Sequence, residues 1–243
     1  MAGTITAANL LLRIRDTLQD TTGIRWLDAE LLRYMNDAQR EIVNLRPESS
    51  STTVNVALVV GTAQTIPAAG LRLIKVVRNM SAAGGSATGK RAIRIVDREI
   101  LDTQEPDWHD PTVSGDATHA TTVKHYVFDE DDPRRFYVYP GASTTSTFIE
   151  IVYSTAPTDF ANTSSATMFV DDVYANALID YVLYRSYMKD AEFAGNQQRA
   201  SMHYQLFGGS LGAGGQAQLM LSPNADAPQA APPMMVPQQQ GVA

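Results

Sequence analysis

Residues 84–90, Gly-Gly-Ser-Ala-Thr-Gly-Lys, have the G-x-x-x-x-G-K spacing of loops that bind nucleotide phosphates. In those loops a Ser or Thr comes next to bind Mg²⁺, and a helix follows whose N-terminus faces the phosphates. Here the next residue is Arg91, and residues 91–96 alternate between polar and apolar side chains, as a strand does. We therefore expect a hairpin loop at 84–90 and no nucleotide site.

Four consecutive acidic residues at 129–132, Asp-Glu-Asp-Asp, could bind a divalent cation. A calcium-binding loop needs oxygen ligands at alternate positions and a distal glutamate, and this run lacks both features. The acidic run also sits directly before Pro133, between two segments that read as strands. The pattern therefore favours a solvated hairpin turn over a metal site.

The histidines are too dispersed in the sequence to form a recognisable catalytic or metal-binding motif, and no HExxH sequence occurs. His125 lies beside Val123 and Val127 in a predicted strand, so we expect a packed or hydrogen-bonded side chain. The sequence predicts no catalytic residue, no metal site and no cofactor. The four histidines are His109, His119, His125 and His203.

The 243-residue chain has a net charge of −7 and contains no cysteine. The missing cysteine excludes disulfides, thiolate zinc sites and a cysteine nucleophile, and it suits assembly in a reducing cytoplasm. An acidic balance argues against a general nucleic-acid coat protein and favours protein partners or a surface past which DNA slides. Because no apolar run approaches 18 residues, we expect neither a membrane-spanning helix nor a signal peptide. Trp26 and Trp108 are expected to fill the core.

Two N-terminal segments have the periodicity of amphipathic helices. Ala7–Leu18 repeats apolar residues at helical spacing, and Thr6 is a suitable N-cap. Asp28–Leu45 carries a second apolar stripe, and Asp28 favours the start of this helix by capping it. Pro47 ends the second helix because the residue before a proline avoids helical backbone.

The middle of the chain changes to a period of two, which predicts β-structure. The clearest hairpin pairs residues 124–128 with 135–139 across the acidic turn. A short helix is predicted at 97–103. The other predicted strands cover residues 52–60, 71–80, 91–96 and 148–153.

Helical patterning returns at Asp171 and Asp172, and the helix that follows is apolar or aromatic around much of its circumference. Such a helix is either buried or located at a subunit interface. A last helix is predicted over 191–207, ending at the glycines 208 and 209. The candidate subunit-interface residues are Tyr174, Leu178, Tyr181, Tyr184 and Tyr187.

These elements predict an α+β fold with a single body, residues 1–209. The helices within 7–45 and 172–207 are expected to pack as a bundle. That bundle carries residues 50–155 as an inserted antiparallel β region.

The C-terminal segment 210–243 differs in composition from the body. Asp226 is its only charged residue, and Gly, Pro, Gln and Ala dominate it. Such a segment cannot bury enough apolar surface to offset the entropy of ordering, so we expect an extended tail that orders on a partner. The candidate anchors to a portal or a neighbouring subunit are Leu219, Met220, Leu221, Met234 and Met235.

Four blocks of sequence, in order across nearly all of residues 6–209, resemble tailed-phage head-to-tail adaptor (connector) proteins. In the first block, Leu27 stands where such proteins often have a capping Ser or Thr, which leaves the capping to Asp28. The resemblance does not cover the tail. The blocks are TGIRWLDAELLRYMNDAQREI at 22–42, VDREILD at 96–102 with PDWH at 106–109, HYVFD at 125–129 with DPRRFYVYP at 132–140, and DYVLYRSYMKDAE at 180–192.

The resemblance implies a non-enzymatic protein of the virion head–tail junction. Such adaptors form a ring, commonly twelve-fold, below the portal protein and accept the next tail or nozzle protein. They line the channel through which double-stranded DNA leaves without sequence recognition, and no membrane is involved. An apolar helix after residue 172 would suit lateral packing in a closed ring, and the tail would suit an anchor on the portal.

Two other functions stay open from the sequence. The chain could be another tail-connector, nozzle or fibre-attachment subunit, with the β region as its main binding module. It could also be a metal-dependent hydrolase that uses the acidic run 129–132.

Overall fold

The computed structural model describes residues 3–112, 119–193 and 195–221. In chain order these residues form the helices and strands α1 (Ala7–Leu18), α2 (Asp28–Leu45), β1 (Ser51–Ala57), β2 (Gly61–Thr65), β3 (Gly70–Met80), β4 (Gly89–Ala92), β5 (Arg94–Ile95), α3 (Arg98–Gln104), β6 (His119–Ala120), β7 (His125–Phe128), β8 (Arg135–Ala142), β9 (Phe148–Thr155), α4 (Ala175–Lys189) and α5 (Asn196–Leu221). Short 3₁₀ helices precede β1 and α4, at Pro47–Ser50 and Asp172–Tyr174.

Helices α1, α2, α4 and α5 pack as a bundle, with α4 in contact with the other three. The apolar stripes predicted from helical spacing meet in one core, where Ile14, Leu31 and Leu178 are completely buried. Trp26 fills the edge of the same core. The α+β class, the bounds of α1 and α2 and the pairing of N-terminal with C-terminal helices are therefore confirmed.

The start of α2 differs from the prediction. Thr6 caps α1 as expected, since its hydroxyl accepts a hydrogen bond from the backbone N–H of Asn9 at 3.3 Å. Asp28, however, does not cap α2: Leu27 occupies the N-cap position without a side-chain bond. The carboxylate of Asp28 instead binds the guanidinium of Arg15, whose Nε lies 3.1 Å from it. Because Arg15 is largely buried and requires a counter-charge, the carboxylate of Asp28 forms this ion pair and does not cap the helix.

The β region consists of two sheets that share an apolar core. One sheet has the strand order β1-β9-β3-β4, and the other has β2-β8-β7-β5 with β6 also paired to β8. Ile149 and Ile151 of the first sheet and Phe136 and Val138 of the second lie in the same buried cluster. We call these two sheets the sandwich. It is not purely antiparallel, because β5–β7 and β6–β8 are parallel pairs.

The predicted hairpin is confirmed: β7 pairs with β8, His125 opposite Tyr139 and Phe128 opposite Phe136. The predicted strand 52–60 is too long, since β1 ends at Ala57 and Val60 is mostly exposed. Strand β2 was not predicted. Its sequence, Gly-Thr-Ala-Gln-Thr, has none of the large apolar residues from which period-two alternation is recognised.

Helix α3 and the loop after it cover the outer face of the second sheet. Trp108 is buried there against Val127, and its Nε1–H donates to the carboxylate of Asp102 at 2.8 Å. Asp97 caps the helix by accepting from the N–H of Glu99 at 3.0 Å. Both the short helix and the burial of Trp108 match the expectation.

Two buried amides on α2 fix the chain as it returns from the sandwich to the bundle. Asn36 accepts from the N–H of Phe160 at 2.9 Å, and Gln39 accepts from the N–H of Phe169 at 2.7 Å. Beside them Arg40 donates two hydrogen bonds to the carboxylate of Asp159, at 2.6 and 2.8 Å. The segment 156–170 is therefore held across α2 although it contains no helix or strand.

Helix α5 does not end at the glycines 208 and 209, so the predicted helix end is wrong. The helix continues to Leu221, and Leu211 is buried in the bundle core with Phe207. The guanidinium of Arg46 also donates to the carbonyl oxygen of Leu211. Glycine weakens a helix by about 1 kcal/mol relative to alanine but does not forbid it, and the packing on α4 outweighs this cost.

Candidate interaction surfaces

The residues proposed as a subunit interface on α4 lie mostly inside the subunit. Leu178 is completely buried, and Tyr181 and Tyr187 are less than a tenth exposed. Their apolar character is therefore explained by packing within one chain, and Leu178 cannot touch a second subunit in this conformation. Tyr174 and Tyr184 are partly exposed, so they remain candidates for such a contact.

Aromatic contacts join α4 to α5. The ring of Tyr181 meets that of Phe207 edge-on at 5.2 Å, and Tyr184 lies 5.0 Å from Tyr204. One turn further along, Tyr187 stacks on the ring of His203. The Nδ1 of His203 lies 2.9 Å from the carboxylate of Asp180. These contacts give α5 a defined position on α4.

The side of α5 that faces away from α4 is also apolar. Phe207 and Leu211 point into the core, whereas Met202 and Leu206 are each 49% exposed, one helical turn apart. We call Met202 and Leu206 the outer face of α5. Both residues lie four positions apart within the predicted helix 191–207, but no surface was predicted from that spacing.

The remaining predicted anchors lie where the side chains are not described. Leu219, Met220 and Leu221 belong to the last turns of α5, of which the structure describes the backbone. Met234 and Met235 lie outside the described residues. The role of these five residues stays a prediction.

The sequence motifs that could do chemistry form structural features. Residues 84–88 lie in the β3–β4 connection and residues 89–90 begin β4. The N–H of Ser81 donates to the carbonyl of Thr88 at 3.0 Å across this connection. No hydrolase nucleophile elbow was expected from the sequence, yet residues 208–212, Gly-Gly-Ser-Leu-Gly, have its spacing. They lie inside α5. The hydroxyl of Ser210 donates to the carbonyl of Phe207 at 2.9 Å, so it is not presented on a strand–helix turn.

The acidic run forms the turn between β7 and β8, and we call residues 129–132 the acidic turn. Glu130, Asp131 and Asp132 are exposed there, and Asp129 is partly buried. Within the described parts of the chain, no three His, Cys, Asp or Glu side chains lie together as a metal site would require.

Two histidines of the sandwich are held in surroundings that favour their neutral form. Burial lowers the pKa of His109, and the nearby cation of Arg98 lowers it further. Burial also lowers the pKa of His125, with Arg91, Lys124 and Arg94 adding to the effect. His109 Nδ1 lies 2.7 Å from the hydroxyl of Thr62. Both histidines thus act as packed residues.

Comparison with known protein families gives one decisive match. The family model described as SU10 adaptor protein matches residues 5–230. The chain belongs to the SU10 adaptor protein family. It is therefore a phage adaptor, a structural protein of the virion whose role implies contacts with other virion proteins.

No curated protein matches the chain. Among the helices that the structure describes, none combines the length and the hydropathy needed to cross a membrane.

Proposed function

We propose that this adaptor forms a ring of twelve copies below the portal protein at the head–tail junction. The ring joins the portal to the next tail or nozzle protein and lines the channel through which double-stranded DNA leaves. The observation that carries the proposal is the family match, which covers residues 5–230, including the whole bundle and the sandwich. Family membership also favours a structural role over an enzymatic one.

The outer face of α5 supports lateral packing of subunits. Met202 and Leu206 expose apolar side chains on a helix whose other side is already packed in the core. Exposed apolar residues that are adjacent on one helix are typical of a surface that a partner covers. In a closed cyclic ring the partner is the next copy, which presents a different surface.

The C-terminal segment is proposed as an anchor on the portal or on a neighbouring subunit. The predicted extended tail is wrong for residues 210–221, which continue α5. The composition after Leu221 and the pair Met234–Met235 suit an extended peptide in an apolar groove. A truncation after residue 209 would remove the buried Leu211, so it would damage the bundle itself. A truncation after Leu221 leaves α5 intact and retains Leu219, Met220 and Leu221, so it tests the part of the anchor that contains Met234 and Met235.

The test mixes the full chain with the portal protein of the same phage and examines the product by electron microscopy. The proposal predicts closed rings of this chain seated on the portal. A Met202→Lys, Leu206→Lys double variant should lose rings, whereas Leu12→Lys, at a 64% exposed position on α1, should keep them. Failure of the wild-type chain to bind portal, with binding further down the tail instead, would favour a nozzle or fibre-attachment subunit.

A further inference from the structure

The charges of the sandwich are separated along the sequence and in space. Residues 51–96 contain no Asp or Glu, and the first acidic residue after them is Asp97. The basic residues of this stretch are Arg72, Lys75, Arg78, Lys90, Arg91 and Arg94, and all six are exposed. This is an unusual local balance for a chain whose net charge is −7.

A buried asparagine brings three basic residues together at one corner of the sandwich. Asn79 is 2% exposed, and its amide donates to the carbonyls of Arg91 at 2.9 Å and Val123 at 2.8 Å. It also accepts from the N–H of Val123 at 2.8 Å. These bonds connect Arg91 in β4 to Val123, the residue before Lys124. The N–H of Arg94 also donates to the carbonyl of Lys124 at 3.2 Å.

We call Arg91, Arg94 and Lys124 the basic corner. All three side chains are exposed. In addition to burial, their charges together lower the pKa of His125, the first residue of β7, which directly follows Lys124. Among the described residues, none of the three forms a salt bridge, whereas Arg78 of β3 pairs with Glu150 at 2.6 Å. The described residues therefore leave the charge of the basic corner unneutralised.

The acidic turn lies at the opposite end of the same strand. Strand β7 begins at His125, next to the basic corner, and ends at Phe128, next to the acidic turn. At about 3.3 Å per residue, its four residues separate the two groups by roughly 13 Å. Among the described residues, the acidic turn also forms no salt bridge. Arg134, just after it, donates instead to the carbonyl of Ala68 at 3.0 Å.

We propose that the basic corner of one copy binds the acidic turn of the next copy. The two groups have opposite charge, comparable exposure and different positions on one rigid strand, which is the arrangement that a head-to-tail contact requires. Each copy then binds one neighbour through its basic corner and the other neighbour through its acidic turn. The repulsion among the like charges within each group is thereby relieved. The inference rests on the ring proposed above, of which it names one contact.

A phosphate backbone is the less favoured occupant of the basic corner. The basic corner has only three cations, and four carboxylates lie at the other end of the same strand. Because those carboxylates would repel phosphate groups, the corner is a weak site for DNA. The basic corner also contains no exposed aromatic residue on which a base could stack.

Because the chain has no native cysteine, the contact can be tested by directed cross-linking. Lys124→Cys and Glu130→Cys variants are mixed, assembled on the portal and treated with a short bis-maleimide. The proposal predicts a cross-linked dimer in the mixture and none with either variant alone. Lys75→Cys mixed with Glu130→Cys is the matched control, since Lys75 is equally exposed on β3. Rings that form without the Lys124–Glu130 cross-link would overturn the proposal.

Charge reversal provides the second test. Arg94→Glu with Lys124→Glu should raise the concentration needed for half-maximal ring assembly by about tenfold or more, because two attractive contacts become repulsive. Adding Glu130→Lys and Asp131→Lys to the same chain should restore assembly. Arg13→Glu with Lys75→Glu changes the net charge equally at exposed positions and should have little effect.

The outcomes separate the contact from the ring itself. If the wild-type chain forms no ring on the portal, the proposed function fails. If rings form and the reversal leaves them unchanged, only this contact is wrong. Weaker binding of duplex DNA in a mobility-shift assay, with assembly intact, would assign the basic corner to phosphate instead. Arg94→Gln with Lys124→Gln repeats the test if the reversed variant does not fold.

Discussion

The bundle and the sandwich use their charged residues differently. In the bundle, ion pairs connect separate segments of the chain: Arg15 binds Asp28, Arg40 binds Asp159, and Lys189 binds Glu30 at 2.6 Å. In the sandwich, the basic corner and the acidic turn are exposed and form no salt bridges among the described residues. The ion pairs of the bundle thus help to fix its fold. The sandwich also has an internal pair, Arg78 with Glu150, but its basic corner and acidic turn remain available for partners.

Both regions expose some apolar residues, for example Leu71, Ile74 and Ile95 in the sandwich, but most apolar residues of the sandwich are enclosed. The two sheets of the sandwich enclose their apolar core between them, and α3 with Trp108 covers the outer face of the second sheet. The bundle exposes the outer face of α5. A subunit built this way can contact neighbours through apolar packing in its helices and through charge in its sheets. The predictions below test whether the two regions are independent.

The largest effect is expected in the bundle core. Leu178→Ala removes a completely buried side chain near the start of α4 and should lower the free energy of unfolding by about 2–5 kcal/mol. Leu12→Ala, at an exposed position, should change it by less than about 0.5 kcal/mol. Urea unfolding measures both variants. A loss for Leu178→Ala as small as that for Leu12→Ala would show that the bundle core is not packed as described.

The next effect distinguishes the two buried asparagines. Asn79→Ala leaves one N–H and two carbonyls without their partner, which should cost about 1–3 kcal/mol. Asn36→Ala leaves only the N–H of Phe160 and should cost less. Hydrogen exchange should show increased opening at residue 123 for the first variant and at residue 160 for the second. Equal opening at both sites in both variants would show that the regions unfold as one unit.

A smaller effect, of opposite sign, is expected at the glycines of α5. A methyl group at Gly208 or Gly209 would meet no atom within 4 Å. Each change to Ala should therefore stabilise the isolated chain, by up to about 1 kcal/mol, through the higher helix propensity of alanine. Thermal unfolding measures this gain. A lower midpoint for both variants would contradict the continuous helix described here.

The smallest effect concerns pH. The pKa values of His109 and His125 lie below the ordinary value of 6.5, so below about pH 6.5 the unfolded chain binds protons that the folded sandwich does not. The stability of the sandwich should therefore fall as pH decreases from 6.5. In the bundle, hydrogen bonds from the backbone N–H groups of Trp26, Ile24 and Arg25 lower the pKa of Asp20. The stability that the ionised Asp20 contributes is therefore lost only below about pH 3.8.

The two tryptophans report these regions separately, since Trp26 lies in the bundle and Trp108 in the sandwich. With fluorotryptophan labelling, the NMR signal of Trp108 should show a lower thermal midpoint at pH 5 than at pH 7. The signal of Trp26 should change less over that range. Identical pH profiles for the two signals would contradict the assignment of the histidine effect to the sandwich.

Local patterns predicted the elements that are stabilised by neighbouring residues. The spacing of apolar side chains gave the bounds of α1 and α2, and alternation around the acidic turn gave the β7–β8 hairpin. The end of α5 was missed because packing on α4 outweighs the weak helix propensity of two glycines.

The interaction surfaces could be predicted only in part. Aromatic residues on α4 predicted an interface, but their burial depends on α5, whose position the sequence does not specify. The basic corner was not predicted because Arg91 and Lys124 are far apart in the chain and are brought together by tertiary hydrogen bonds, chiefly those of Asn79. A contact that one buried amide makes between two sheets produces no periodic pattern in the sequence, so the sequence does not predict it.

The most direct test of the account is an electron cryomicroscopy map of the full chain assembled with its portal protein. The account predicts a closed ring of this chain against the portal, with the outer face of α5 covered by the neighbouring copy. A portal that carries no density for this chain, or a ring in which Met202 and Leu206 face solvent, would contradict it.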